Sequence, residues 1–471
     1  MFLRRFYDDQ LAQASYMIGC TDSGTAVVVD ANRDAEQYVA AAAAERVRIT
    51  HVTETHIHAD FVSGSLELAR ATGARLYLSD EGAPDWRYAF ADREGAVALR
   101  DGATLEVGRV RLDALHTPGH TPEHLTFLVT DTASADQPMG ALTGDFVFVG
   151  DVGRPDLLER AAGVAGTMEA GARQLFRSLA RLATYPDFLQ LWPGHGSGSA
   201  CGKALGAVPQ TTLGYERLFN WAFAVPDEDE FVRMVLAGQP EPPRYFATMK
   251  RVNRDGPAVL GGARRPERLA ASRLAPVLAD GALVVDTRHA ADFAAGHVPG
   301  TINVPLDASF TTWAGWLIPY DRPVYLIVDE DEDGARTARA TRDLAMIGID
   351  HVAGHFGADA MTAWSAEGRP LERVPQITPA ELRERMARGD VAVIDVRGLS
   401  EWEAGHIPGA RHVPLGHLTD RLAELPAGVP LVMQCKGGGR SAIAASLLLA
   451  RGRRDVMNLV GGYEGMLRNG E

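Results

Sequence analysis

Residues 55–61 read THIHADF and place three potential metal ligands within five positions. His56, His58 and Asp60 follow an alternating, β-branched run at 49–53 that is typical of a strand, and a helix-like segment comes next. Loops at the carboxyl ends of strands often carry functional residues in layered α/β proteins, because the sheet holds them rigidly. This stretch therefore predicts a metal site at the edge of a sheet in an α/β domain.

Three later segments supply further ligands, each at the end of a strand-like run. They read HTPGHT (116–121), TGD (143–145) and PGH (193–195). A single loop histidine is weak evidence for a metal, whereas four spaced clusters indicate one common centre. The residues alone leave two ligand sets open, a zinc site of three histidines (His56, His58, His120) and an iron site of two histidines and one carboxylate.

The order of these ligands resembles that of the metallo-β-lactamase superfamily over residues 1–250, with HxHxD followed by His, Asp and His. The resemblance implies an α/β fold, the αββα sandwich. Phe61 stands where two-metal hydrolases of the superfamily carry a histidine, and a phenyl ring cannot ligate a metal. Likeness to the persulfide dioxygenase branch implies one Fe(II) held by His56, His120 and Asp145, the facial triad of non-haem iron oxygen chemistry.

The same resemblance gives roles to residues around this triad. His58, Asp60 and His195 are expected to orient the ligands and to hold water. Arg154, in the segment GRPD that follows Asp145 closely, is a candidate for binding an anionic group of the substrate. The alternative for Arg154 is an ordinary salt-bridged arginine at the surface.

Cys201 lies six residues after His195, in the glycine-rich segment HGSGSACGK. We expect a polar segment of this kind to be exposed, and Lys203 is close in sequence, so the pattern favours a reactive, catalytic thiol. The alternative is a small buried residue that packs the loop. The same segment resembles one found in bacterial fusions of persulfide dioxygenase with rhodanese domains.

An internal repeat with an offset of 109 residues organises the second half of the chain. Residues 284–306 read VVDTRHAADFAAGHVPGTINVPL, and residues 393–415 read VIDVRGLSEWEAGHIPGARHVPL. Each copy alternates short apolar strands with helical segments, which predicts two α/β domains with parallel sheets. The predicted domains are 1–250, 265–368 and 376–471, with glycine- and proline-rich linkers between them.

The repeated pattern resembles rhodanese sulfurtransferase domains, and its last copy carries a cysteine loop, CKGGGRS, between a strand and a helix. The helix start, Lys436 and Arg440 all favour the thiolate of Cys435, which would accept a sulfane sulfur as a persulfide. Loop glycines let backbone N–H groups curl around one point, and they are candidates for binding the sulfur substrate. These glycines are Gly437, Gly438 and Gly439.

The middle copy lacks this cysteine. It reads DEDEDG from position 329, and Asp331 falls where Cys435 falls in the last copy. Consecutive carboxylates repel thiolate, sulfite and persulfide, so we expect a structural spacer or an oligomer contact. His297 and His406 occur in both copies, and we assign them to the fold rather than to catalysis.

Length and charge limit the classes of function. A chain of 471 residues predicts two to four domains, and a net charge of −14 argues against nucleic acid or an anionic membrane as partner. Three scattered cysteines argue against a disulfide framework and favour the cytoplasm. The amino terminus has no apolar stretch, so we expect neither a signal peptide nor a membrane span.

Both resemblances together imply a sulfide-detoxifying fusion of a persulfide dioxygenase with a degenerate and an active rhodanese domain. A persulfide of glutathione, coenzyme A or a similar small thiol would react with O2 to give sulfite, and Cys435 would transfer sulfane sulfur to give thiosulfate. One alternative is a zinc thioester hydrolase of the glyoxalase II type fused to a rhodanese. Another is a non-catalytic persulfide carrier or sensor. The inactive middle domain suggests a homo-oligomer.

Overall fold

The computed structural model describes residues 1–160, 163, 166–203, 205–262, 264–329 and 334–468. The chain forms two compact units. The first comprises Met1–Ala263 with Ala345–Gly348, and the second comprises Arg264–Leu344 with Ile349–Glu471. Among the described residues, no helix combines the length and the apolar character needed to cross a lipid bilayer.

Two six-stranded sheets form the centre of the first unit. The strands of the first sheet are Phe2–Asp8 (β1), Gln13–Cys20 (β2), Thr25–Val29 (β3), Arg48–Thr53 (β4), Arg75–Ser79 (β5) and Val97–Leu99 (β6). The strands of the second are Thr104–Val107 (β7), Val110–His116 (β8), Leu125–Asp131 (β9), Gly140–Gly144 (β10), Gln190–Pro193 (β11) and Thr211–Thr212 (β12). The sheet orders are β1-β2-β3-β4-β5-β6 and β12-β11-β10-β9-β8-β7.

The described part of the first unit also contains helices. They are Ala35–Glu45 (α1), Ser65–Thr72 (α2), Leu157–Arg160 (α3), Thr167–Leu182 (α4), Leu213–Phe219 (α5), Trp221–Ala224 (α6), Glu228–Leu236 (α7) and Tyr245–Asp255 (α8). Helices α1 and α2 share one apolar core with the first sheet, and α4 and α7 share another with the second.

Strand β2 shows why the layers form. All eight of its residues are buried, and neighbouring side chains enter different cores. Met17 packs under the helices, whereas Tyr16 and Ile18 enter the core between the two sheets. This follows from the two-residue side-chain period of a strand buried on both faces. The αββα architecture that the resemblance implied is confirmed.

The second unit contains two parallel sheets, one for each repeat. The first has order β14-β13-β15-β16, with strands Leu283–Asp286 (β13), Ile302–Asn303 (β14), Val324–Val328 (β15) and Val352–Gly357 (β16). Its helices are Leu274–Ala279 (α9), Ala290–Ala295 (α10), Phe310–Leu317 (α11), Ala335–Met346 (α12) and Asp359–Ala366 (α13). The acidic loop predicted to replace the cysteine loop falls on 330–333, which lie outside the described residues.

The second of these sheets has order β17-β21-β20-β18-β19 and is also parallel. Its strands are Gln376–Ile377 (β17), Ala392–Asp395 (β18), Arg411–His412 (β19), Leu431–Gln434 (β20) and Val456–Leu459 (β21). Its helices are Pro379–Arg388 (α14), Leu399–Glu403 (α15), Gly439–Ala450 (α16) and Gly462–Arg468 (α17). The predicted fold of two tandem α/β domains is confirmed.

The repeated residues have the same local roles in both copies. Arg288 donates from Nη2 to Asp286 at 2.6 Å, and Arg397 donates from Nη2 to Asp395 at the same distance. His297 stacks on Phe293, four residues earlier, with 3.8 Å between ring centroids. His406 stacks on Trp402 in the same way at 3.6 Å. Both histidines therefore brace a helix end, in agreement with their assignment to the fold.

Candidate functional site

The predicted ligands of the first unit lie on loops that leave neighbouring strands. His56 follows β4, His120 follows β8, Asp145 follows β10 and His195 follows β11. Each of these side chains is at most 2% exposed. The ligand atoms of His56, His120 and Asp145 all lie within 4.8 Å of one another. The fold thus brings the three predicted metal ligands together.

The geometry of this triad fits a metal ion. Asp145 Oδ2 lies 3.5 Å from His120 Nε2 and 3.9 Å from His56 Nε2. Within the described structure, His56 Nε2 and both oxygens of Asp145 are buried without a hydrogen-bond partner. Buried polar atoms without partners are costly, and a cation between them would satisfy all three. His56, His120 and Asp145 therefore form a metal-binding group.

The outer nitrogens of both histidines are fixed by neighbours. His56 Nδ1 lies 2.9 Å from Thr55 Oγ1, and His120 Nδ1 lies 3.0 Å from the carbonyl oxygen of Arg154. Such contacts orient each ring so that Nε2 faces the centre. Burial, followed by the neighbouring histidines, holds the pKa of His56 and of His120 well below the ordinary value. Both imidazoles are therefore neutral, which is the form that ligates metals.

His58 reaches the triad through a residue that the sequence analysis missed. Its Nε2 lies 3.1 Å from Asp30 Oδ1, and Asp30 also accepts hydrogen bonds from Thr55 N at 2.7 Å and Thr55 Oγ1 at 2.9 Å. Burial disfavours the charged form of His58, but Asp30 outweighs burial and raises its pKa to about 9. Asp30 follows the apolar strand β3, as Asp145 follows β10, and this parallel was the available signal.

A second group of potential ligands adjoins the first. One ligand atom each of Asp60, His195 and Cys201 lies within 4.8 Å of the other two. His195 Nε2 lies 3.3 Å from Asp60 Oδ2 and 3.5 Å from Asp145 Oδ1, and His195 Nδ1 lies 2.9 Å from the Ala12 carbonyl. Cys201 thus supplies a further donor atom next to Asp60 and His195. The sequence analysis missed this juxtaposition.

The expectation that Cys201 is exposed is wrong. Its side chain is 1% exposed, and burial followed by the nearby carboxylates of Asp60 and Asp145 raises the pKa of the thiol well above the ordinary value. Lys203 does not activate it, because its ammonium donates to the Met234 carbonyl at 2.6 Å. A backbone hydrogen bond connects the Cys201 loop to a buried segment, because Arg154 N donates to the Cys201 carbonyl at 3.3 Å.

Arg154 does not have the role predicted for it. The residue is fully buried, and Nε and Nη2 each donate to Asp156 at 2.8 Å. Nη1 donates to the Ala200 carbonyl at 3.1 Å, and Nη2 also donates to the Pro240 carbonyl at 2.6 Å. All of these contacts of the guanidinium lie within the protein, and the bond to Ala200 holds the loop that precedes Cys201. The guanidinium is neither a free anion-binding group nor a surface salt bridge.

The cysteine loop of the second unit joins β20 to α16. Cys435 Sγ accepts hydrogen bonds from Gly438 N at 3.1 Å and from Ser441 Oγ at 3.4 Å. Gly438 has a φ of +107°, a backbone conformation that favours glycine, and it lets its N–H turn toward the sulfur. Of the three loop glycines, Gly438 is the one whose amide contacts this sulfur in the described structure. The predicted cradle is thus made of one amide and one hydroxyl.

The two cations of this loop differ in their surroundings. Arg440 donates to both carboxylate oxygens of Glu401, at 2.6 and 2.7 Å. Lys436 is 66% exposed, with Nζ 3.7 Å from Glu464 Oε1. The positive charge predicted for Arg440 is therefore largely balanced, and Lys436 is the more accessible cation. Sequence reasoning missed Glu401, although it lies in the repeated segment EWEAGH.

Comparisons with known proteins agree with this architecture. Residues 8–195 match the metallo-beta-lactamase superfamily, and residues 271–365 and 378–469 match the rhodanese-like domain. The crystal structure of a metallo-beta-lactamase from Staphylococcus aureus subsp. aureus COL is 40% identical, with a TM-score of 0.67, and the match covers 76% of this chain and 99% of that one.

Two curated relatives are similar to part of the chain. The mitochondrial persulfide dioxygenase ETHE1 of Bos taurus is 27% identical over 199 residues, which are 41% of this chain and 68% of that protein. A hydroxyacylglutathione hydrolase of Rhodopseudomonas palustris is 28% identical over 255 residues, 53% of this chain and 86% of that protein. With its buried His/His/Asp group and its two repeats, the chain belongs to the metallo-β-lactamase superfamily and carries two rhodanese-like domains.

Proposed function

We propose that the chain is a persulfide dioxygenase that uses one non-haem Fe(II) and is coupled to a sulfurtransferase through Cys435. The observation that carries this proposal is the buried group of His56, His120 and Asp145, because two histidines and one carboxylate on one side leave other positions open. The likeness to the persulfide dioxygenase of Bos taurus supports it. The likeness to a hydroxyacylglutathione hydrolase supports the second candidate, thioester hydrolysis.

The proposed reactions balance in two steps. In the first, one persulfide, one dioxygen and one water give one thiol, one sulfite and two protons. In the second, Cys435 takes the terminal sulfur of another persulfide, releases the thiol, and passes that sulfur to sulfite as thiosulfate. The product of one domain is the acceptor at the other, and joining both in one chain raises its effective concentration.

The residues around the metal-binding group would have separate roles in the oxidation of the persulfide. Bound ferrous iron would supply the activation of dioxygen and the binding of the substrate sulfur. Asp30 and Thr55 fix the His56 ring from behind, and the nearly complete burial of the site excludes bulk water. His58 keeps a proton on a ring whose Nδ1 is buried without a partner among the described residues, and this atom can donate to a substrate atom.

Cys201 and the cysteine loop would handle sulfur. We propose that the Cys201 thiol contacts the persulfide, because it lies next to Asp145 and Asp60. At Cys435, the amide of Gly438 and the hydroxyl of Ser441 donate to the sulfur and would hold it in place to accept the sulfane sulfur. Lys436 would attract the sulfite anion at the loop, and the amides of Gly437 and Gly439 would help to bind it.

The remaining features of the proposal concern partners. A small thiol such as glutathione or coenzyme A would carry the persulfide sulfur. The Cys-less middle domain would serve as a spacer or as a contact in a homo-oligomer. We also propose a cytoplasmic location and no nucleic-acid or membrane partner, on the basis of the net charge of −14 and the scattered cysteines.

The test compares wild type with Cys435→Ser in the iron-loaded full chain, with sulfite and thiosulfate measured while dioxygen is recorded. Wild type should consume dioxygen with a persulfide and form both products. Cys435→Ser should form sulfite at a similar rate and no thiosulfate, because it loses only the sulfur acceptor. Absence of dioxygen uptake with every persulfide, combined with hydrolysis of a thioester, would favour the second candidate. Loss of both products in Cys435→Ser would contradict the division between domains.

A further inference from the structure

Lys250 is a buried cation that the proposed chemistry does not use. It lies on α8, its side chain is 8% exposed, and its ammonium forms neither a hydrogen bond nor an ion pair with any residue that the structure describes. A buried charge without a partner is costly and rarely kept. Trp86 and Glu123 stabilise this charge in part, and a bound anion would stabilise it further.

Helix α8 is fastened to the loop that carries the histidines. Asn253 Nδ2 donates to the carbonyls of His58 and Phe61, at 2.8 and 2.7 Å. Its Oδ1 accepts from Ser63 N at 2.8 Å. Lys250 lies three residues before Asn253 and thus on the same side of the helix. The geometry of α8 therefore places Lys250 beside the loop of residues 56–63.

The electrostatics agree with this placement. Beyond burial and the neighbouring histidines, the charge of Lys250 contributes to the lowered pKa of His56 and of His120. Burial lowers the pKa of Lys250 itself to about 8, so that it is largely protonated at neutral pH. A positive charge therefore lies beside the loop of residues 56–63.

Trp86 and Glu123 complete the surroundings of this ammonium. Lys250 Nζ lies 4.6 Å from the centre of the partly exposed Trp86 ring, a cation–π distance. Trp86 and Glu123 both lie close to Gly82. A Cβ atom placed at Gly82 would be 3.3 Å from Trp86 Cβ and 3.6 Å from Glu123 Cβ. Glu123 Oε1 accepts a hydrogen bond from Ile57 N at 2.9 Å, so Glu123 contacts the loop of residues 56–63. Glu123 attracts Lys250 without forming an ion pair with it.

The other cations near this site are already engaged. Arg154 is held by Asp156 and two carbonyls, and Arg254, on the same helix, is paired with Asp255 at 2.8 Å. An anionic substrate approaches a chain with a net charge of −14 and needs a local cation to bind. Within the described part of the chain, the Lys250 ammonium donates no hydrogen bond and is the cation of this region that remains able to bind an anion.

We propose that Lys250, with Trp86 as an aromatic wall, binds a carboxylate of the thiol that carries the persulfide sulfur. The inference rests on the proposed function and adds a specificity residue to it. Because Lys250 lies beside the loop that carries His56 and His58, we expect the carboxylate to lie near the sulfur in the carrier. Cysteine-like carriers meet this condition, whereas the charges of coenzyme A lie at the end of a long neutral arm.

The experiment uses two thioethers that cannot react and that differ only in the carboxylate, S-methylcysteine and S-methylcysteamine. Their affinities for the metal-loaded full chain are measured by calorimetry without oxygen. Wild type should bind S-methylcysteine at least about tenfold more tightly, since hydrogen bonds to a charged group are worth about 1.5–3 kcal/mol. Lys250→Met should lose this preference, and Lys250→Arg should keep part of it.

Arg254→Met is the matched control, because it removes a cation from the same helix that is paired and partly exposed. It should bind both thioethers as wild type does, and metal content with near-ultraviolet circular dichroism verifies the fold of each variant. Equal affinity of wild type for the two thioethers would overturn the proposal, even if Lys250→Met does not fold. A preference that survives in Lys250→Met would overturn it too. If the preference for S-methylcysteine depends on Lys250 but the chain oxidises no persulfide, the binding site is supported and the proposed function is contradicted.

Discussion

Arg440 and Glu401 form a bidentate ion pair at the cysteine loop. Arg440 Nη1 donates to Glu401 Oε2 at 2.6 Å, and Arg440 Nη2 donates to Glu401 Oε1 at 2.7 Å. Glu401 therefore balances the charge that Arg440 would otherwise offer to an anion at Cys435. The pair is partly exposed, with 24% of the Arg440 side chain and 33% of the Glu401 side chain accessible, so water weakens it without removing it.

Glu401→Gln should strengthen the binding of anionic acceptors at Cys435. The substitution keeps the shape of the side chain and removes its charge, so the KM for sulfite should fall about two- to fivefold, in line with a surface ion pair of up to about 1 kcal/mol. The value of kcat should change little. Steady-state sulfur transfer at several salt concentrations measures both. Glu424→Gln, which removes a carboxylate paired with Arg421, is the control and should have a smaller effect. An unchanged KM in Glu401→Gln would refute the balancing role.

Asp30→Asn should weaken metal binding although Asp30 does not reach the metal-binding group. Its carboxylate holds Thr55 and His58, and Thr55 holds the ring of His56. Loss of such outer contacts typically costs about 10–100-fold in metal affinity. Competition with a chelator measures the affinity. Asp113→Asn, which removes a carboxylate paired with Arg111 on β8, should leave the affinity unchanged; equal losses in both variants would point to a general charge effect.

The charge of His58 predicts a pH dependence of stability in the metal-free chain. Asp30 raises the pKa of His58 from 6.5 to about 9, so its contribution is complete below pH 6.5 and is lost as the pH rises through 9. The free energy of unfolding should decrease by up to about 3 kcal/mol over that interval. Urea unfolding across this pH range measures it, and His58→Gln should remove this part of the slope. A slope of equal size in His58→Gln would contradict the assignment.

Cys201 should resist modification in the folded protein. The thiol is 1% exposed and its pKa is raised by burial and by the nearby carboxylates, so a bulky alkylating reagent should reach it only after unfolding. Peptide mass spectrometry of samples taken during native alkylation, compared with samples alkylated in urea, measures the difference. Rapid labelling of Cys201 in the native chain would mean that its loop opens.

Much of the metal centre could be predicted from the sequence because its ligands occur in short segments that follow strands. His56, His120 and Asp145 meet because the carboxyl ends of their strands lie at one edge of the sandwich. The two rhodanese-like domains could be predicted because an internal repeat is visible without any structure.

The surroundings of the sites could not be predicted, because they depend on contacts between distant parts of the chain. The side chain of Arg154 is engaged by carbonyls 46 and 86 residues away, and Glu401 lies 39 residues before Arg440. The burial of Cys201 likewise follows from closure of its loop rather than from its polar composition. Local sequence indicates the type of residue at a site, whereas long-range packing decides whether its charge is free.

The most direct test of the central claim measures metal content and dioxygen consumption on the same preparation of the full chain. The account predicts about one iron per chain and one dioxygen consumed for each persulfide sulfur that is oxidised. Asp145→Asn should lose iron and dioxygen uptake together. Zinc held without open positions, or two metals per chain with thioester hydrolysis and no dioxygen uptake, would contradict it.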